Sequence, residues 1–144
     1  MKKILLISFI CLIFSFSIQA QTIAGNWKLT WIVVELDMAY SIIVPITLSI
    51  EENGKISGNG GCNSFTGNYS FKKPKKPFKK PVKIKFSNII STNLPCDKPL
   101  RAENVFFRSL RDANTIFVKN GELVIESSKA GNMMSFVSEA KPKP

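Results

Sequence analysis

The chain reads as a mainly β protein of the α+β kind, a single small antiparallel β-barrel or strongly curved sheet of about eight strands with one helix. Three observations predict this. Short stretches alternate apolar with other residues, close turns rich in Gly, Asn and Pro separate them, and only one stretch spaces its apolar residues by three and four.

The first strand is read at Trp27, Leu29, Trp31 and Val33, which alternate with Lys28, Thr30, Ile32 and Val34 as if one face met a core. Ile46, Leu48 and Ile50 repeat that period after Pro45. Glu51-Glu52-Asn53-Gly54 then turns the chain into a short strand at Lys55 to Gly58, giving a hairpin. Phe65 to Phe71 is the next strand, and Val82, Ile84 and Phe86, with Ile89 and Ile90, the one after it. Between them the Lys/Pro-rich segment 72–81 holds Pro74, Pro77 and Pro81, which remove backbone donors and predict a solvated loop. The helix is expected from Leu100 to Asp112: Phe106, Phe107 and Leu110, with Ala102 or Glu103 a turn earlier, form an apolar stripe, and Pro99 suits the first turn. Thr115 to Lys119 and Glu122 to Ser127 are joined by Asn120-Gly121, a two-residue hairpin signal, and Met133 to Val137 ends the series. The core is expected to contain Trp27, Leu29, Trp31, Leu48, Phe65, Tyr69, Phe106, Leu110, Leu123 and Phe136. Two tryptophans on one strand could also line a ligand pocket, but core packing is favoured.

Residues 1–20 have the layout of a secretory signal: basic Lys2 and Lys3, an apolar run from Ile4 to Phe16, and the small Ala20. That run of about 13 residues is shorter than the roughly 20 a spanning helix needs. Cys11 lies in the middle of the run, whereas a lipoprotein signal would place its cysteine at the cleavage site. The expected mature product is one soluble, unlipidated, monomeric domain over 21–140 with a polar tail at 141–144, periplasmic or secreted. It keeps two of the three cysteines, Cys62 and Cys96. An even pair in an oxidising compartment points to one disulfide, with two buried free thiols as the alternative.

The full chain has 20 basic and 10 acidic residues, and without Lys2 and Lys3 the net charge is +8. Lys72, Lys73, Lys75, Lys76, Lys79, Lys80, Lys83 and Lys85 supply eight positive charges with no acid among them. Such a patch suits lipopolysaccharide phosphates, anionic lipid or glycan. It equally suits a solubilising loop that blocks edge-to-edge strand pairing. Export makes nucleic acid an unsuitable partner.

Gly58-Asn59-Gly60-Gly61-Cys62-Asn63, followed by Gly67 and Tyr69, is the most specific stretch of the chain. It resembles the signature of the META domain family, the HslJ-like envelope proteins, in which G-x-x-G-C-N precedes G-x-Y. Gly25-x-Trp27-x-Leu29 is similar to the family's opening strand, Thr92 and Cys96 to its threonine-to-cysteine segment, and Glu103, Phe106 and Leu110 to its helix. The resemblance covers residues 24 to 137. Leu94-Pro95 before Cys96 departs from the family's methionine and small residue, and the lysine-rich segment is a local elaboration. The resemblance implies a heat-shock or antimicrobial-tolerance role in the envelope, through binding an unidentified protein or a small apolar ligand. Independently of it, the glycines have a structural use, since they bend a strand and admit close backbone approach, while Asn63 can satisfy loop backbone groups. No G-K-[ST] ending or following helix makes the cluster a phosphate cradle.

The sequence has no histidine, which removes the commonest general base and metal ligand. Glu35 with Asp37, and Glu51 with Glu52, are the close acid pairs, and all four read as solvated loop or turn residues. Two cysteines cannot complete a tetrahedral zinc site. The expectation is therefore a non-enzyme without metal or cofactor. A small inhibitor of a secreted hydrolase is a further alternative, with no reactive loop to mark it.

Overall fold

The computed structural model describes residues 22–34, 38–40, 44–71, 78, 80–96 and 101–139. The expected signal segment 1–20, Glu35, Asp37, Pro99, Leu100, the 141–144 tail and Lys72, Lys73, Lys75, Lys76 and Lys79 lie outside the described residues.

Among the described residues the strands are β1 (Gly25–Val34), β2 (Met38–Tyr40), β3 (Thr47–Ile50), β4 (Lys55–Asn59), β5 (Ser64–Phe71), β6 (Val82–Ser91), β7 (Thr115–Lys119), β8 (Glu122–Ser127) and β9 (Asn132–Ser138), with one helix, α1 (Arg101–Asp112). All pairings are antiparallel, and β1 pairing with β9 closes β1 and β3 to β9 into an eight-stranded barrel. The ninth strand, β2, was not anticipated. It pairs with Ile32–Val34 on the β1 edge whose first half, Gly25 to Lys28, is taken by β3.

The turns follow the local chemistry. Asn120 and Gly121 adopt φ of 52° and 84°, the left-handed pair that a two-residue hairpin with primed geometry needs. At the β3–β4 turn Gly54 has φ 89°, its N–H donates to the Glu51 carbonyl, and the Asn53 side chain accepts from the Lys55 N–H.

The expected alternation of β1 fails halfway. Trp27 and Leu29 are buried, but then Ile32 and Val34 take the inward positions and Trp31 is only partly covered. The cause is a register shift: Leu29 faces Phe136, yet Trp31 faces Ser135, so one extra β1 residue is inserted and the side-chain parity flips. The Thr30 hydroxyl donates to the Ser135 carbonyl at 2.9 Å within that shift. Trp31 therefore leaves the core list, and the other nine residues on it are buried. A second shift on β6, beside Asn88 at φ 51°, turns Ile89 toward the core and leaves Ile90 70% exposed.

The barrel axis is filled by Ile32, Leu48, Ile56, Phe65, Leu110, Ile116, Leu123, Ile125, Met134 and Phe136, all essentially inaccessible. Helix α1 covers the mouth where β4 ends and β5 begins, and it buries Val105, Phe106, Phe107 and Leu110, with both phenylalanine rings edge-on to Phe65. At the opposite mouth Phe78 is buried, edge-on to Phe71, and its carbonyl accepts the Val118 N–H at 2.7 Å. The 72–81 segment is thus not wholly solvated. Its one aromatic residue seals an end of the barrel while Lys80 and Pro81 stay exposed.

Candidate functional site

The signature residues gather at the helix-covered mouth. Between β4 and β5 the chain must reverse beside α1, and Gly61 takes φ 118° while its N–H donates to the Asn59 side-chain oxygen at 2.7 Å. Gly60 passes so close to the helix that a Cβ there would lie 2.7 Å from the Phe107 ring and 2.9 Å from the Glu103 carboxyl. Gly58 and Gly67 serve the barrel wall: a Cβ on Gly58 would overlap the Thr47 carbonyl, and one on Gly67 would crowd Ile56 and Ile89.

Glu103, in the first turn of α1, is buried and accepts three hydrogen bonds, from the N–H groups of Cys62 at 3.3 Å and Asn63 at 2.7 Å and from the Asn63 amide at 3.0 Å. Its position also suits the positive end of the helix dipole. The Asn63 side-chain oxygen accepts from the Thr92 hydroxyl at 2.9 Å and the Leu94 N–H at 2.8 Å. A disulfide joins Cys62 to Cys96, with Cα atoms 6.3 Å apart, and the Asn63 amide approaches the Cys96 sulfur at 3.7 Å. Three segments, the β4–β5 turn, the β6–α1 connection and the helix start, are so fastened together. Every polar group of Asn63 and Glu103 is spent on this task.

Against that fastening lies an open groove of about 400 Å³. One wall is the end of β6 and the connection after it, Ser91 to Leu94; the other is the helix stripe Asn104, Phe107 and Arg111. The Arg111 guanidinium lies over the Phe107 ring, 5.8 Å from its centroid. Of these groove residues Ser91, Asn93, Asn104 and Arg111 carried no signal in the sequence, because exposed Asn, Ser and Arg look like any solvated surface.

Tyr69 sits apart from this cluster. Its hydroxyl donates to the Glu51 carbonyl at 2.6 Å, and burial, with the nearby Glu52 charge second, pushes its phenol above the ordinary value of 10.0. Lys83 and Lys85 alternate on the outward face of β6 toward the opposite end, with Lys80 also exposed. Among the described residues no group of three metal-ligating side chains converges, and no helix is long and apolar enough to cross a membrane.

A closed eight-stranded barrel with a helix over one mouth, pinned there by a disulfide and a buried Asn–Glu pair, defines the class of protein. The META domain model matches residues 20–141, and the chain belongs to that family. A solved DUF4847 family protein from Bacteroides vulgatus ATCC 8482 is similar in fold, with a TM-score of 0.55 at 12% identity over 83% of this chain and 95% of that one. No curated protein matches the chain.

Proposed function

We propose that this META domain chain is an exported, non-catalytic binding module that supports the cell envelope under heat or antimicrobial stress. The observation that carries the reading is where the polar groups are spent. The signature residues saturate one another, with Glu103 and Asn63 holding turn, connection and helix, and the barrel axis is filled with side chains. Binding chemistry is left to the outer surface. The disulfide supports an oxidising compartment. In the test, a strain lacking the protein loses survival after heat or antibiotic challenge and regains it with the full chain but not with a chain lacking residues 1–20. Unchanged survival, or rescue by the truncated chain, overturns the reading.

A second reading, contact with an anionic envelope surface through the lysine-rich segment, is favoured by the outward alternation of Lys83 and Lys85 beside exposed Lys80. Each basic group near an anionic membrane contributes about 1 kcal/mol. Replacing all eight lysines by serine should abolish binding to anionic vesicles at low salt, and wild-type binding should fall steeply as salt rises. Equal binding by both proteins removes this reading.

A further inference from the structure

We propose that the groove between the β6–α1 connection and the outer stripe of α1 binds a polyhydroxylated ligand bearing a carboxylate, an acidic sugar of an envelope glycan, with Arg111 as the carboxylate anchor. The proposal deepens the binding reading above by naming a site and a ligand class for it.

The walls supply the argument. Asn104, Phe107 and Arg111 are spaced by three and four residues, so they stand in one line along the helix, with Asn104 and Arg111 about two turns, roughly 10 Å, apart. Facing them are the Ser91 hydroxyl, the Asn93 amide and the Thr92 hydroxyl, which donates to Asn63 and can only accept from a ligand. The groove therefore presents neutral donors and acceptors along its length and a single cation at one end. Its one well-exposed apolar side chain is Leu94, 60% exposed. Phe107 is itself buried under the guanidinium and offers no open ring. A peptide that binds through apolar side chains finds no pocket here. A sugar, whose hydroxyls need many weak polar partners, does.

Arg111 fits the anchor role for two physical reasons. The cation–π contact with Phe107, 5.8 Å to the ring centroid, biases the guanidinium toward the groove, so less rotamer freedom is lost on binding than for a free arginine. Its fork matches the two oxygens of a carboxylate in a way that an ammonium cannot. Glu103 at the other end of the groove is engaged with Cys62 and Asn63, and its carboxyl faces that network. The disulfide and the Asn63 bond to the Leu94 N–H fix the opposite wall, so the groove is shaped before a ligand arrives.

The test uses the oxidised chain and two probes of equal size: the disaccharide of N-acetylglucosamine and N-acetylmuramic acid, which carries a carboxylate, and chitobiose, which does not. Titration followed by amide NMR shifts should place the acidic disaccharide against residues 91–94 and 104–111, with affinity at least about tenfold above chitobiose, the usual worth of a charge-assisted pair. Arg111→Gln should bring the two sugars level, while Arg111→Lys should recover only part of the preference. Both variants alter an exposed side chain, and unchanged thermal unfolding certifies their fold. Equal affinity for the two sugars, shifts confined to the lysine-bearing end, no binding of either, or a preference that survives Arg111→Gln would each overturn the proposal. Loss of groove binding with intact stress protection sinks this inference and spares the broader one.

Discussion

Glu103 and Asn63 show how much one buried carboxyl and one amide can hold. Replacing Glu103 by alanine would leave two backbone N–H groups and the Asn63 amide without their acceptor inside the protein. Each orphaned buried donor costs about 1–3 kcal/mol, so Glu103→Ala should lower stability by about 3 kcal/mol or more in urea unfolding. Glu103→Gln keeps one acceptor oxygen but turns an NH₂ toward a neighbouring donor, and the loss should be smaller, about 1–2 kcal/mol. Ser109 is the opposite case. Its buried hydroxyl has no hydrogen-bond partner among the described residues, so Ser109→Ala should be neutral or stabilise by up to about 1 kcal/mol. Tyr69 gives a pH signature. Because its folded pKa lies above the unfolded one, the native state holds the phenolic proton more tightly. That contribution is complete below about pH 10 and is lost as pH rises through the raised value. Stability measured against alkaline pH should fall in that window, and Tyr69→Phe should flatten the fall.

The elements were legible in the sequence where polar and apolar residues alternated cleanly, as in β3 and β5, or where a two-residue turn marked a hairpin, as Asn120-Gly121 does between β7 and β8. They were illegible where chemistry gave two equal choices. From Trp31 to Val34 four apolar residues run together, so either parity could face the core, and only the pairing with β9 decides between them. Ile32→Ala should therefore cost about 2–5 kcal/mol, and Trp31→Ala much less despite the larger side chain. Equal losses would mean that the register shift is wrong. Phe78 was hidden for another reason, since a lone aromatic among lysines and prolines looks like part of a solvated loop. It is buried against Phe71, and Phe78→Ser should lower stability by about 3–5 kcal/mol while lysine substitutions around it stay near zero. The signature cluster was readable as structure, because glycines before a cysteine and an asparagine predict a tight reversal. Its partner Glu103 was readable only through the family resemblance.

At the scale of the whole molecule, two closures act independently. The barrel is closed by β1 on β9, a seam with no cysteine, whereas the disulfide ties the two ends of the β5–β6 hairpin at the helix-covered mouth across 34 residues. In the chain-entropy picture a crosslink of that span contributes roughly 3–4 kcal/mol by restricting the unfolded chain. Reduction removes that contribution but leaves the native bonds from Thr92 and Leu94 to Asn63 and from the Thr92 N–H to the Ser64 carbonyl. The reduced protein should therefore remain a barrel with a lower urea midpoint and a somewhat larger m-value, because the unfolded chain without the crosslink exposes more surface. Amide exchange should show where the loss is felt. Protection along β1 and β9 should fall only as far as global stability falls, because those strands open together with the barrel. Residues 92–96 and the first turn of α1 should lose more, since local opening there no longer has to stretch a covalent tie. If the seam strands and the helix mouth lose protection equally, the two closures form one cooperative unit and do not act independently. If only the mouth opens, acidic-sugar binding in the groove should weaken on reduction while the barrel stays intact.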